Sequence, residues 1–146
     1  MSQENVEIVS ALQPAPGVDL AQLFRDDLLW AAVSATLAPS LAPDFECVAR
    51  GVPIGEETVY EGLLGLRALW LEWLAPWRTY RTEVEEIVDL GERVVVLVRD
   101  FARHEENAHE VEQTAAAVWT VQDGKVIRAD FYANRAEAIK AVGLEE

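Results

Sequence analysis

The spacing of apolar residues changes partway along the chain, dividing it into a helical first half and a stranded second half. Val6, Ile8, Val9 and Leu12 form a helical stripe behind Ser2, which is placed to cap it, and Glu4 and Glu7 suit its positive end. The run Pro14-Ala15-Pro16-Gly17 stops that helix. A second helix is predicted from Asp19, carrying Leu20, Leu23, Phe24, Leu28 and, further on, Val33 and Leu37, until Pro39 and Pro43 close the region. Residues 44–50 read as a short strand, followed by a loop with Gly51, Pro53 and Gly55. Residues 62–75 return to helical spacing, with Leu63, Leu66, Leu69, Trp70, Trp73 and Leu74 on one broad face and Pro76 as terminator.

From residue 79 the period shortens to two. Strands are predicted over 79–90, 93–103, 109–122 and 125–134, with Gly91-Glu92 turning the first pair and Asp123-Gly124 the last. Asp-Gly is a strong hairpin signal, because a type I′ turn needs positive φ at both central residues. A short helix over 135–142, ended by Gly143, completes the chain. Helices first and an antiparallel meander afterwards make an α+β domain, not a doubly wound sheet. All 146 residues fit one domain, and no internal repeat or low-complexity segment is present.

The turns set registers, and the registers set faces. A two-residue turn at Asp123-Gly124 pairs Gln122 with Lys125, Trp119 with Arg128, Asp130 with Ala117 and Asn134 with Gln113. Centring the preceding loop on Glu106-Asn107 pairs Asp100 with Gln113. One face then carries Val94, Val96, Val98, Asp100, Gln113, Ala115, Ala117, Trp119, Arg128, Asp130, Tyr132 and Asn134. Its centre is small and apolar, and its polar groups lie toward strand ends, as a small-molecule pocket requires. Gln113, Trp119, Tyr132 and Asn134 are the expected ligand-binding residues. Trp70 and Trp73, at helical spacing, read as core. The other face carries Leu97, Arg99, Phe101, Glu112, Ile127 and Phe131, whose apolar members suggest a homodimer contact.

Charge narrows the partners. Twelve basic residues against 26 acidic ones give a net charge of −14, which argues against nucleic acid and anionic membrane surfaces. The basic residues are ten Arg and two Lys, a balance that reads as genome composition. Glu56-Glu57, Glu85-Glu86, Glu105-Glu106 and Glu145-Glu146 read as solvated faces. One cysteine, Cys47, excludes an internal disulfide, and with only His104 and His109 beside it no metal site is expected. No nucleotide-binding or nucleophile-elbow motif occurs, and no cofactor is expected. The first fifteen residues are acidic and polar, unlike a signal peptide, and residues 28–38 are too short a span for a membrane, so a cytoplasmic protein is expected.

Several segments together resemble the SnoaL-like family. They are the opening Met1-Ser2-Gln3-Glu4-Asn5-Val6-Glu7-Ile8-Val9, the passage Tyr60-Glu61-Gly62-Leu63 into a Trp-rich helix, and Asp89-Leu90-Gly91-Glu92-Arg93-Val94-Val95-Val96. Val118-Trp119-Thr120-Val121-Gln122-Asp123-Gly124-Lys125-Val126 and Phe131-Tyr132-Ala133-Asn134-Arg135-Ala136-Glu137-Ala138 complete the match, while residues 14–41 depart from the usual short helix pair. The resemblance implies a nuclear-transport-factor-2-like cone: a curved antiparallel sheet wrapped around N-terminal helices, a pocket between them, and a homodimer. Asp130 lies where SnoaL-like cyclases and limonene-epoxide-hydrolase-like enzymes place a catalytic aspartate. A carboxyl group in an apolar pocket can have its pKa raised toward working pH and act as a general base. Arg128, two residues away, offers the competing structural role of an ion-pair partner. Asp100 matches the acid-side aspartate of the epoxide hydrolases. Their linking arginine is Val98 here, and the histidine of the cyclases falls near Ala116-Ala117.

Three functional classes follow: a pocket protein for a small, mostly apolar, polyketide- or terpenoid-like ligand; a cofactor-independent cyclase, isomerase or hydrolase using Asp130; and a non-catalytic dimeric accessory domain. The missing partners of Asp130 favour binding without an assigned reaction.

Overall fold

Asp26 divides what the apolar stripe predicts as a single helix. Its backbone is extended, its N–H donates to Gln22 O and ends α2 (Leu20–Arg25), and its carboxylate accepts from Leu28 N and Leu29 N to open α3 (Asp27–Leu37). One residue thus serves as C-cap and N-cap, so the chain bends without a Gly or Pro. The computed structural model describes residues 2–51 and 58–144. Pro53, Gly55, Glu56-Glu57 and Glu145-Glu146 lie outside the described residues. Ahead of α2 runs α1 (Ser2–Leu12), and Asp19 caps α2 through Ala21 N.

Among the described residues six strands form one sheet, in the order β2-β1-β6-β5-β4-β3. They are β1 (Leu41–Arg50), β2 (Tyr60–Glu61), β3 (Thr79–Leu90), β4 (Arg93–Arg103), β5 (Val111–Gln122) and β6 (Lys125–Tyr132). All described neighbours pair antiparallel except β1 and β6, which are parallel. Helix α4 (Gly62–Trp73) lies against β1, α1 and α2 lie against β3, and α5 (Arg135–Ala141) packs on β5. Gly65 permits the close seat of α4: a Cβ there would stand 2.8 Å from the carbonyl carbon of Tyr60. The fold is α+β with a curved, unclosed sheet, as expected. Strand β1 starts at Leu41 rather than at residue 44, and the two-residue β2 was not foreseen.

The main core lies between the helices and one sheet face. Val9, Phe24, Phe45, Leu69, Leu74, Tyr80, Val94, Val96, Trp119 and Phe131 belong to it. A smaller cluster, Val95, Ala116, Val118, Ala138 and Val142, joins the other face to the α5 region. Among the described residues no helix is long and apolar enough to cross a membrane.

Two register results decide which residues share a face. Asp123 and Gly124 both have positive φ (52° and 76°), Gln122 pairs with Lys125, and Asp100 pairs with Gln113, all as the turns predict. Between Thr120 and Val121, however, the pairing with β6 shifts by one residue. Val121 pairs with Val126 while Thr120 pairs with Arg128, which leaves Ile127 without a partner across the ladder. Beyond that bulge, Trp119 faces Ala129 and Asp130 faces Val118, instead of the expected Arg128 and Ala117. A one-residue slip exchanges the faces of the strand. Ala129 and Phe131 therefore join the core, and Arg128 and Asp130 go to the other side.

Candidate functional site

Between the helices and the concave sheet face lies a cavity of about 410 Å³. Its wall is largely apolar: Leu12 from α1, Val18 from the connection that follows it, Leu23 and Phe24 from α2, Val33 and Leu37 from α3, Leu66, Trp70 and Trp73 from α4, and Val98, Ala117, Trp119 and Phe131 from the sheet. The aromatic members touch in sequence. Trp119 meets Phe131 edge-on at 5.6 Å, Phe131 meets Trp70 at 5.3 Å, and Trp70 meets Trp73 at 5.3 Å. Trp70 and Trp73, expected only as core, also form part of the cavity wall. Among the described residues no Arg, Lys or His lines it.

Among the described residues Asp100 is the one carboxylate in that wall. It is 3% exposed, and both oxygens are engaged: Oδ2 accepts from Tyr80 Oη at 2.5 Å and Oδ1 from Thr82 Oγ1 at 2.6 Å. Tyr80 Oη in turn accepts from Trp73 Nε1 at 3.0 Å. Burial pushes the Asp100 carboxyl above its ordinary value, against the Thr82 and Tyr80 hydrogen bonds and the Arg135 charge. Burial and the neighbouring Asp100 charge push Tyr80 well above 10, so its hydroxyl remains a donor. Gln113, the cross-strand neighbour of Asp100, does not itself line the cavity. A carboxyl held by neutral hydroxyls in apolar surroundings can exchange a proton with a bound molecule.

Asp130 does not line the cavity. The bulge at Ile127 turns it to the opposite face, where Oδ1 accepts from Arg50 Nε at 3.1 Å and Arg128 Nη2 at 3.2 Å, and Oδ2 from Arg128 Nε at 3.1 Å. Arg128 also pairs with Glu46 at 2.5 Å. Four charged groups thus form a closed cluster across β1 and β6. This corrects the expected placement of Asp130 and Arg128 on the pocket face. Cys47, on the adjacent strand, is fully buried, and burial together with the Asp130 and Glu46 charges pushes its thiol up to about 12.

The remaining expected residues divide. Trp119 lines the cavity. Tyr132 reaches its boundary, while its ring packs against the smaller cluster and lies 6.0 Å from the Arg50 guanidinium. Asn134 is the N-cap of α5, accepting from Glu137 N at 3.2 Å, and lies past the end of β6. Tyr80 and Thr82, which hold Asp100, and Trp73, which donates to Tyr80, were missed as a group. The signal was the alternation Tyr80-Thr82 on the strand paired with β4, but a second bulge between Val84 and Glu86 displaces the register that Gly91-Glu92 alone would give. His104 stacks on Trp77 at 4.1 Å and its Nδ1 lies 2.8 Å from Pro76 O, away from the cavity.

Solved structures share this architecture at low identity. TerC, co-crystallised with polyporic acid, aligns with a TM-score of 0.64 and 19% identity over 94% of this chain and 96% of its own. A protein from Jannaschia sp. CCS1 described as a SnoaL-like polyketide cyclase aligns with a TM-score of 0.66 and 18% identity over 99% and 94%. A nuclear-transport-factor-2-like protein of unknown function from Burkholderia pseudomallei K96243 gives 0.64 and 18% over 96% and 98%. No curated protein matches the sequence. The sequence profile of the SnoaL-like domain matches residues 19–129, a span that holds α2 to α4, β1 to β5 and the Asp100 cluster, and the chain belongs to that family.

Proposed function

We propose that this protein binds a small, mostly apolar, polyketide- or terpenoid-like molecule in the cavity between its helices and its sheet. The observation that carries the reading is the cavity itself: about 410 Å³, walled by aliphatic and aromatic side chains, with a single carboxyl group among the described residues that line it. That combination of volume, apolar wall and few polar groups suits a small organic ligand. The co-crystallisation of TerC, a protein of similar fold, with polyporic acid is consistent with it.

The probe for this reading is N-phenyl-1-naphthylamine, a neutral apolar dye that brightens on leaving water. Saturable one-to-one binding is expected, and it should vanish in Ala117→Phe, which fills the cavity from its floor. Absence of saturable binding, or binding indifferent to a folded Ala117→Phe, would overturn the reading.

A catalytic version of the same site rests on Asp100, because Asp100 lines the cavity and Asp130 is on the other face. A homodimer through the outer sheet face is also part of the proposal. Its contact cannot use Phe131, which is in the core, and Phe101 lies beneath the Arg81 guanidinium at 3.9 Å. A second copy would therefore meet a surface in which Arg81, Arg99, Glu85 and Glu112 are already ion-paired.

A further inference from the structure

Most polar side chains in the cavity wall already have partners. Asp100 is closed by Tyr80 and Thr82, and the Trp73 indole N–H is taken by the Tyr80 hydroxyl. Gln13 Nε2 donates to Val9 O, and Thr36 Oγ1 to Ala32 O. Trp119 is different. It lines the cavity, it is 7% exposed, and its buried Nε1–H has no acceptor among the described residues. A buried donor without an acceptor destabilises a fold, and most such groups are satisfied by protein, water or ligand.

The position of Trp119 sets the shape of what it could hold. It pairs with Val94, six residues along β4 from Asp100, so the two Cα atoms are about 20 Å apart. The cavity has a closed polar cluster toward one end of β4, an open donor toward the other, and an aromatic path of Phe131 and Trp70 from Trp119 toward Tyr80. With no cation and one carboxyl group among the described residues of the lining, none of them compensates a ligand anion.

We infer that the Trp119 indole N–H is the anchoring donor of the cavity and that it takes a neutral carbonyl oxygen of an otherwise apolar, flat or elongated molecule. The inference rests on the cavity reading above and specifies it: the ligand's polar handle meets Trp119, and its hydrocarbon body lies along Phe131 and Trp70.

Fluorenone and fluorene form the test pair, since they share one rigid tricyclic shape and differ by a carbonyl in place of a methylene. Equilibrium dialysis should show fluorenone binding about tenfold more tightly, the discrimination expected of one hydrogen bond to an otherwise unpartnered donor. Trp119→Phe should abolish that preference while fluorene still binds. In the wild-type chain, the Trp119 Nε1–H resonance should move downfield with fluorenone and not with fluorene, a readout that does not depend on the variant folding. Equal affinities in the wild type, as when a water already satisfies the indole, would overturn the inference. So would a preference that survives Trp119→Phe, or an unmoved indole resonance at saturation. Fluorene binding without discrimination leaves the cavity reading standing and removes only Trp119. Failure of both compounds to bind overturns the cavity reading and the anchor together.

Discussion

Replacing Asp130 by Asn separates an ion-pair partner from a catalytic base. In the structure its carboxylate receives three hydrogen bonds from two guanidinium groups, at 3.1, 3.1 and 3.2 Å, with the side chain 12% exposed. Hydrogen bonds to charged groups contribute roughly 1.5–3 kcal/mol each. Three offsets lower the sum here. Arg50 and Arg128 keep 34% and 31% of their side-chain exposure, so water takes over part of what they lose. Arg128 retains Glu46 at 2.5 Å. Asn keeps one acceptor oxygen in place. What remains is about 2 kcal/mol of destabilisation, below that of breaking a fully buried pair.

For a chain of this length such a loss lowers the melting temperature by roughly 4–8 °C. Urea and thermal unfolding at neutral pH measure it. A double variant that also carries Arg128→Gln should lose less than the sum of the single variants, because two of the three bonds are shared. Cavity binding of N-phenyl-1-naphthylamine should be unchanged in Asp130→Asn. A variant as stable as the wild type, or one of full stability that no longer binds the dye, would refute this placement of Asp130.

Asp100 should respond with the opposite sign. Its carboxyl is raised by burial, so the folded chain holds that proton more tightly than the unfolded one, and its contribution to stability falls as pH rises from about 4 toward the raised value. Asp100→Asn removes that decline, so urea midpoints should shift in favour of the variant between pH 4 and pH 7; a shift in favour of the wild type would contradict burial as the dominant cause. For the homodimer, sedimentation at micromolar concentration should show twice the 16.2 kDa chain mass, strengthened by salt because each chain carries −14. A single 16.2 kDa species at all salt concentrations would exclude it.

Where local chemistry decides, the sequence was readable. The Asp123-Gly124 turn needs left-handed backbone at both positions, which Asp and Gly tolerate, so the hairpin and its first pair could be placed. The meander order and the Asp100–Gln113 pair followed from turns in the same way. Bulges are harder, since an extra residue is held by contacts remote in sequence. Val121 N donates to Glu92 O at 2.7 Å, across to the neighbouring turn, beside the point where Ile127 drops out of register. The one local trace of the slip is the adjacent apolar pair Val126-Ile127, after which Ala129 and Phe131 alternate with the charged Arg128 and Asp130. Weighting that alternation above an unbroken register would have put Phe131 inside and Asp130 outside. The split of the long helix at Asp26 was hidden for a related reason: an Asp within an apolar stripe reads as a solvated position until both of its capping bonds are seen.

The two buried aspartates show why burial alone does not identify a site. Asp130 is held by two guanidinium groups, whose three hydrogen bonds engage both of its oxygens and fix it in place. Asp100 is surrounded by hydroxyl groups, which can rotate to donate to a carboxylate or accept from a carboxylic acid. Its surroundings therefore tolerate both protonation states, and it borders the space a ligand would fill. The aspartate suited to chemistry is the one whose partners are neutral. The side chain suited to recognition is the Trp119 indole, six residues along β4 from Asp100 and with no partner among the described residues, because a donor left open in an otherwise satisfied wall gains most from an incoming oxygen.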